Sequence, residues 1–256
     1  MSDLAEIVRL GDPDRFAATL AAPEGARVRL WPLYAFNLEI ARAPYVTQEP
    51  LIAEMRLQFW ADVMDGIARG AAPRAHEVAR PLALLWQGEG LPVALGQAMI
   101  AARYWDIARV PFADEAALMA HLDATTGNLM WLAARLLGAP EQSTPVVRDM
   151  AHAAGLANWL LAVPAMQAAG RVPLVDDGDA AIRALADAGL ARLARARAGR
   201  GQVPKAAAPA LLTGWRAGTI LRRAGRSPAR VRDGGLQGSE FARRGGLLWR
   251  ALSGLW

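Results

Sequence analysis

The sequence predicts an all-α fold, a single helical domain over residues 1–256, on three observations. Apolar residues recur at three- and four-residue spacing along much of the chain. No segment alternates apolar and polar residues as a half-buried strand would. Proline and glycine fall at the ends of the periodic stretches, where helices start and stop.

Taken in order, Asp12-Pro13-Asp14-Arg15-Phe16 reads as a helix start. Asp12 can cap the free amides, and Pro13 takes the first helical position, where its missing N–H costs nothing. Pro23-Glu24 repeats the device. From Val28, the residues Trp31, Ala35 and Leu38 form one helical face, and Pro32 inside it can bend the helix. Residues 43–50 read as a loop. Ile52, Met55, Phe59, Val63 and Ile67 then mark the apolar face of a helix of about five turns. Glu54, Gln58, Asp62, Asp65 and Arg69 form its polar stripe. Further helices are expected over about 75–87, 92–109, 114–138 and 145–168, with Gly138 suited to a C-cap. The acidic loop Asp176-Asp177-Gly178-Asp179 leads to helices over 180–197 and 206–223. Gly234, Gly235, Gly238, Gly245 and Gly246 weaken any long helix beyond them, so residues from about 226 to 256 are expected as a basic tail. In that tail Leu248, Leu252 and Leu255 make a short apolar stripe beside Trp249 and Trp256.

Composition bounds the function. With 54% hydrophobic residues the chain can bury a core and is not a disordered segment. It has no cysteine, which excludes disulfides, thiolate metal sites and cysteine nucleophiles. Of its 29 basic residues only Lys205 is lysine. Residues 1–191 hold 15 basic and 22 acidic side chains, net −7, whereas residues 192–256 hold 14 and 2, net +12. That asymmetry points to an anionic partner for the C-terminal part. An anionic membrane surface fits it through Arg243, Arg244, Trp249 and Arg250. Nucleic acid would answer the same charge, but no recognition motif accompanies it. Residues 1–10 show neither a basic region leading into an apolar run nor the acid-free composition of a transit peptide, so a cytoplasmic location is expected. No stretch reaches 18 uncharged apolar residues, so none is expected to cross a bilayer.

His76, His121 and His152 lack any metal-ligand spacing. Asp62 with Asp65, and the acids around Asp176, are candidate carboxylate pairs. The first pair reads rather as a solvated helix face, and the second as turn and cap residues. Trp31, Trp60, Trp131 and Trp159 could line an apolar pocket or simply fill the core.

Two sets of residues carry a resemblance. The first is Tyr34-Ala35-Phe36 followed by Arg56-Leu57-Gln58-Phe59-Trp60; the second is Asn158 followed by Gly170-Arg171-Val172. In this order they resemble the squalene/phytoene synthase family, which implies an isoprenoid-synthase-like helical fold. In that family the first set leads into three aspartates, and two more lie between the ends of the second. Laid on this sequence those positions are Ala41, Arg42, Tyr45, Ala162 and Met166, while Tyr34, Phe36, Arg56, Gln58, Trp60, Asn158, Gly170 and Arg171 keep the surrounding pattern. Magnesium needs hard oxygen ligands, which these replacements do not supply, and Arg42 reverses the charge. The resemblance therefore implies no cofactor and a degenerate member. It is closer to the non-catalytic branch that includes a respiratory complex I assembly factor, peripheral on the inner membrane. Arg42 and Arg171 then stand as candidate phosphate or lipid contacts, and a protein partner in a membrane complex or an isoprenoid lipid as the partner. The alternative is an active prenyl-diphosphate transferase using Mg²⁺ on other carboxylates.

Overall fold

The computed structural model describes residues 3–254 and 256. Among these there is no strand, so the all-α expectation holds. The chain divides into two compact units, residues 1–108 and 109–256.

The first unit contains α1 (Asp3–Gly11), α2 (Pro13–Leu20), α3 (Glu24–Arg42), α4 (Pro50–Ala68), α5 (Ala79–Glu89), α6 (Val93–Ala102) and α7 (Tyr104–Ala108). Asp12 caps α2 as expected, its carboxylate accepting from Arg15 N at 2.9 Å with Pro13 in the first turn. Pro23 differs: it is itself the N-cap residue of α3 and brings no side-chain acceptor. From Leu30 to Leu38 every residue of α3 is buried, Pro32 included, because α1, α2, α4 and α5 pack around it. A helix apolar all round belongs in a core.

The inward face of α4 keeps Val63 and Ile67 of the expected stripe but departs from it in the first half of the helix. Ala53, Leu57, Trp60, Val63, Met64 and Ile67 are buried, while Ile52 and Met55 are 46% and 65% exposed. This helix carries apolar residues on two sides, and α6 selects between them. Gly96 of α6 sits against Met64, where an added Cβ would lie 2.7 Å from the sulfur, so α4 turns Met64 inward.

The second unit holds α8 (Glu115–Leu122), a π-helical turn (Asp123–Gly127) and α9 (Asn128–Leu136) in one run. Gly138 ends it at φ +89°, as its C-cap reading required. The long α10 (Thr144–Ala168) packs against α9, α11 (Asp179–Ala198), α13 (Ala217–Arg226) and α14 (Ala229–Arg232). The helix expected over 206–223 is broken: α12 (Ala208–Leu212) ends before a turn at Gly214, and α13 follows. Gly214 lies so close to α10 that a Cβ there would meet Met150 Cε at 2.6 Å. The basic tail also departs from expectation, because α15 (Glu240–Ser253) is a 14-residue helix despite Gly245 and Gly246. Ser239 caps it by accepting from Ala242 N, and Glu240 ties to Arg243 and Arg244 one turn on. Of the apolar stripe expected there, Leu255 lies outside the described residues.

Candidate functional site

The last turn of α3 and the first half of α4 enclose a cleft of about 350 Å³ in the first unit. Glu39 and Arg42 enter it from α3, Arg56, Phe59 and Trp60 from α4, and His76 from the following loop. His76 is held firmly. Its Nδ1 accepts from the Val78 and Ala79 amides at 3.1 and 3.3 Å, and its ring packs on Phe59 and Trp60. In the neutral ring the proton is therefore on Nε2. Arg42 and Arg56 are exposed, and neither guanidinium makes a hydrogen bond or ion pair among the described residues. Two uncommitted guanidiniums and an imidazole face one carboxylate, so the cleft suits an anion.

The neighbouring pattern residues are structural. Tyr34 is 1% exposed, and burial pushes its phenol up despite the Arg15 guanidinium 5.2 Å from the ring centre. Phe36 packs edge-on against Trp60 and Trp86. Tyr45 donates its hydroxyl to Asp106 of α7 at 2.8 Å. Ala41 is half-buried and Gln58 is engaged with Asp62 at 2.7 Å.

In the second unit, α10 carries Asn158, exposed; Ala162, half-buried; and Met166, buried. Gly170 at φ +75° turns the chain so that Arg171 N reaches Met166 O at 3.0 Å. The Arg171 side chain is nearly buried and donates to Ala169 O. Trp159 donates to Pro173 O at 2.9 Å and packs on Phe112 and His121, so it is a core residue, as are Trp31 and Trp131.

A second cleft, of about 190 Å³, lies between α13 and α15. Trp215, Arg216, Arg223, Arg243, Trp249 and Arg250 line it. It thereby gathers Arg243, Trp249 and Arg250 from the expected anion contacts, while Arg244 points away and is 82% exposed.

A model of the squalene/phytoene synthase family matches residues 8–178, which is more than half of the chain. The chain belongs to this family. Its fold is similar to that of a dehydrosqualene synthase solved in complex with ligand (TM-score 0.83, 14% identity, covering 98% of this chain and 94% of that one). It is also similar to squalene synthase HpnC from Alicyclobacillus acidocaldarius (TM-score 0.75, 15% identity, covering 88% and 93%). A search of curated proteins by sequence returned no match.

Magnesium chemistry in a squalene/phytoene synthase-like protein asks for clustered carboxylates. Among the described residues no three His, Cys, Asp or Glu side chains group so as to hold a metal ion. The remaining candidate carboxylates are otherwise engaged. Asp62 binds Gln58 and Arg74, Asp65 binds Gln97, Asp176 closes a turn on Gly178 N, and Asp179 binds Arg183 and Arg232. Sequence reasoning missed Glu39, and it read His76 only as a histidine without metal-ligand spacing, yet both line the first cleft. The spacing Glu39-Arg42, one turn apart on α3, was the available signal for the first.

Proposed function

We propose that this family member does not catalyse prenyl transfer and instead binds a phosphate-bearing isoprenoid or other anionic lipid without metal. In this reading it is an assembly or scaffold factor at a membrane surface. The observation that carries the proposal is Arg42, an uncommitted guanidinium in the first cleft at a position where the family places a metal-binding aspartate. A guanidinium can grip a phosphate directly, and it repels the ion an aspartate would hold.

The resemblance to the complex I assembly branch supplies the finer expectation of a protein partner within a respiratory membrane complex, peripheral on the inner membrane. No helix among the described residues is long and apolar enough to cross a membrane, so attachment would be through a surface. The net charge of +12 over residues 192–256 supports that surface being anionic.

The experiment is incubation of the purified chain with farnesyl or geranylgeranyl diphosphate, with and without Mg²⁺. Pyrophosphate release and hydrocarbon product are both assayed. We expect binding that survives chelation and no product. Mg²⁺-dependent product would overturn the reading and favour the active transferase.

A further inference from the structure

We infer that α15 docks on an anionic phospholipid bilayer, its outward apolar face entering the interfacial layer while the α13–α15 cleft receives the phosphate group of one lipid. This rests on the membrane-surface reading above and gives it a specific element and a built site.

The two sides of α15 divide the work. Phe241, Leu248 and Leu252, spaced seven and four residues apart, share one side of the helix and are 88%, 61% and 77% exposed. Trp249 flanks them at 69% exposure. Arg243 and Arg250, also seven apart, occupy the opposite side and turn into the cleft toward Arg216 and Arg223. Trp249 belongs to both the exposed side and the cleft wall, so the apolar face and the phosphate site are continuous. A tryptophan in that position suits the headgroup level of a bilayer.

The helix is also held in place. Gly246 brings α15 close to Trp215, where an added Cβ would lie 3.3 Å from the ring. Beyond it, the Trp256 ring stacks under Arg200, and the Trp256 backbone oxygen accepts from the same guanidinium at 2.8 Å.

The positive charge is not balanced within the unit's own C-terminal segment. Residues 192–256 contain two acids, Asp233 and Glu240, and Glu240 is already shared by Arg243 and Arg244. Arg250 is half-buried, and its guanidinium makes no hydrogen bond or ion pair among the described residues. Burial and the neighbouring Arg200 and Arg222 push its guanidinium down. Like charges gathered in a partly desolvated cleft repel one another until an anion enters. A lipid phosphate answers both halves of the surface. A nucleic-acid backbone answers only the charge and would leave the apolar face of α15 in water.

The test is flotation of the full chain with phosphatidylcholine vesicles that contain or lack phosphatidylglycerol. Arg216→Gln with Arg250→Gln removes two charges from the cleft. Arg226→Gln with Arg244→Gln removes two exposed charges outside it. Diffuse attraction predicts equal losses, about fivefold per arginine. A built phosphate site predicts that the cleft pair loses at least about tenfold more than the outer pair. Equal losses would overturn the cleft and leave membrane association standing. Failure of the wild type to float with phosphatidylglycerol would overturn the membrane reading itself. Leu248→Ser with Leu252→Ser changes only exposed side chains, so folding does not depend on it. It should weaken flotation about tenfold or more, and unchanged flotation would overturn the docking face. Release of bound protein by a single-stranded oligonucleotide at matched phosphate would assign the cleft to nucleic acid and overturn the lipid assignment.

Discussion

Tyr45, on the loop after α3, donates its hydroxyl to the Asp106 carboxylate of α7 at 2.8 Å. Asp106 is 2% exposed, and Arg103 approaches its other oxygen at 3.6 Å. A buried carboxylate that loses a donor bears a desolvation cost, so Tyr45→Phe should destabilise the protein by about 1–3 kcal/mol. Tyr45→Asp would restore the residue type found in the family's pattern but would set a second carboxylate against Asp106, and should cost more. Urea denaturation of both variants decides the matter, and an unchanged midpoint for Tyr45→Phe would remove the role given to this bond.

The pairing of α10 with α11 predicts a specific pH response. Burial pushes the Asp149 carboxyl up, but hydrogen bonds from Arg195 and Arg192 outweigh it and hold the group below its ordinary 3.8. His152 is pushed below its ordinary 6.5 by burial first and by Arg192 second. In both cases the unfolded chain takes up the proton before the folded one. Each therefore contributes fully above its unfolded value and loses that contribution as pH falls through the lowered folded value. Thermal unfolding of His152→Gln should show a flatter decline just below pH 6.5 than the wild type. Asp149→Asn should cost about 1–2 kcal/mol at neutral pH, and the gap should close in acid below 3.8. Parallel profiles for wild type and variants would contradict these assignments.

What was legible in the sequence depended on how many solutions each pattern allowed. The start of α2 was legible because Asp12-Pro13 has one good helical register. The length of α10 was legible, whereas the all-round burial of α3 was not, because only the face of Trp31, Ala35 and Leu38 read as apolar. The inward face of α4 was not legible, because Phe59 and Met55 compete with Trp60 and Met64 and the choice rests on Gly96, about thirty residues later. The ordering of α15 was hidden for a similar reason. Gly245 and Gly246 weigh against a helix locally, yet Gly246 is what lets the helix approach Trp215. At the first cleft, the replaced motif positions came from the resemblance alone. The engagement of Tyr45 with Asp106 spans 61 residues and could not.

Trp256 should act as the anchor of the C-terminal helix. It is 2% exposed, with the Arg200 guanidinium 4.9 Å from its ring centre. Trp256→Ala removes a large buried ring and should cost about 3 kcal/mol globally. Because the contact follows α15 directly, amide hydrogen exchange in Glu240–Ser253 should accelerate more than exchange in α10. Equal acceleration in both would mean that Trp256 supports the unit as a whole and not the seating of α15.

The first cleft makes its own prediction about metal. The Arg42 and Arg56 guanidiniums have no hydrogen-bond or ion-pair partner among the described residues, so an entering phosphate does not have to displace one. Inorganic pyrophosphate should bind without metal. Arg42→Ala and Arg56→Ala should each weaken it by about tenfold, the scale of one charge-assisted hydrogen bond. Chelation should leave the affinity unchanged, and added Mg²⁺ should lower it, because the ion competes with the guanidiniums for the same oxygens. A metal-requiring site gives the opposite response to both additions. Calorimetric titration reads all of these effects, and binding that strengthens with Mg²⁺ or ignores Arg42→Ala would reject an arginine-held anion at this end of α3.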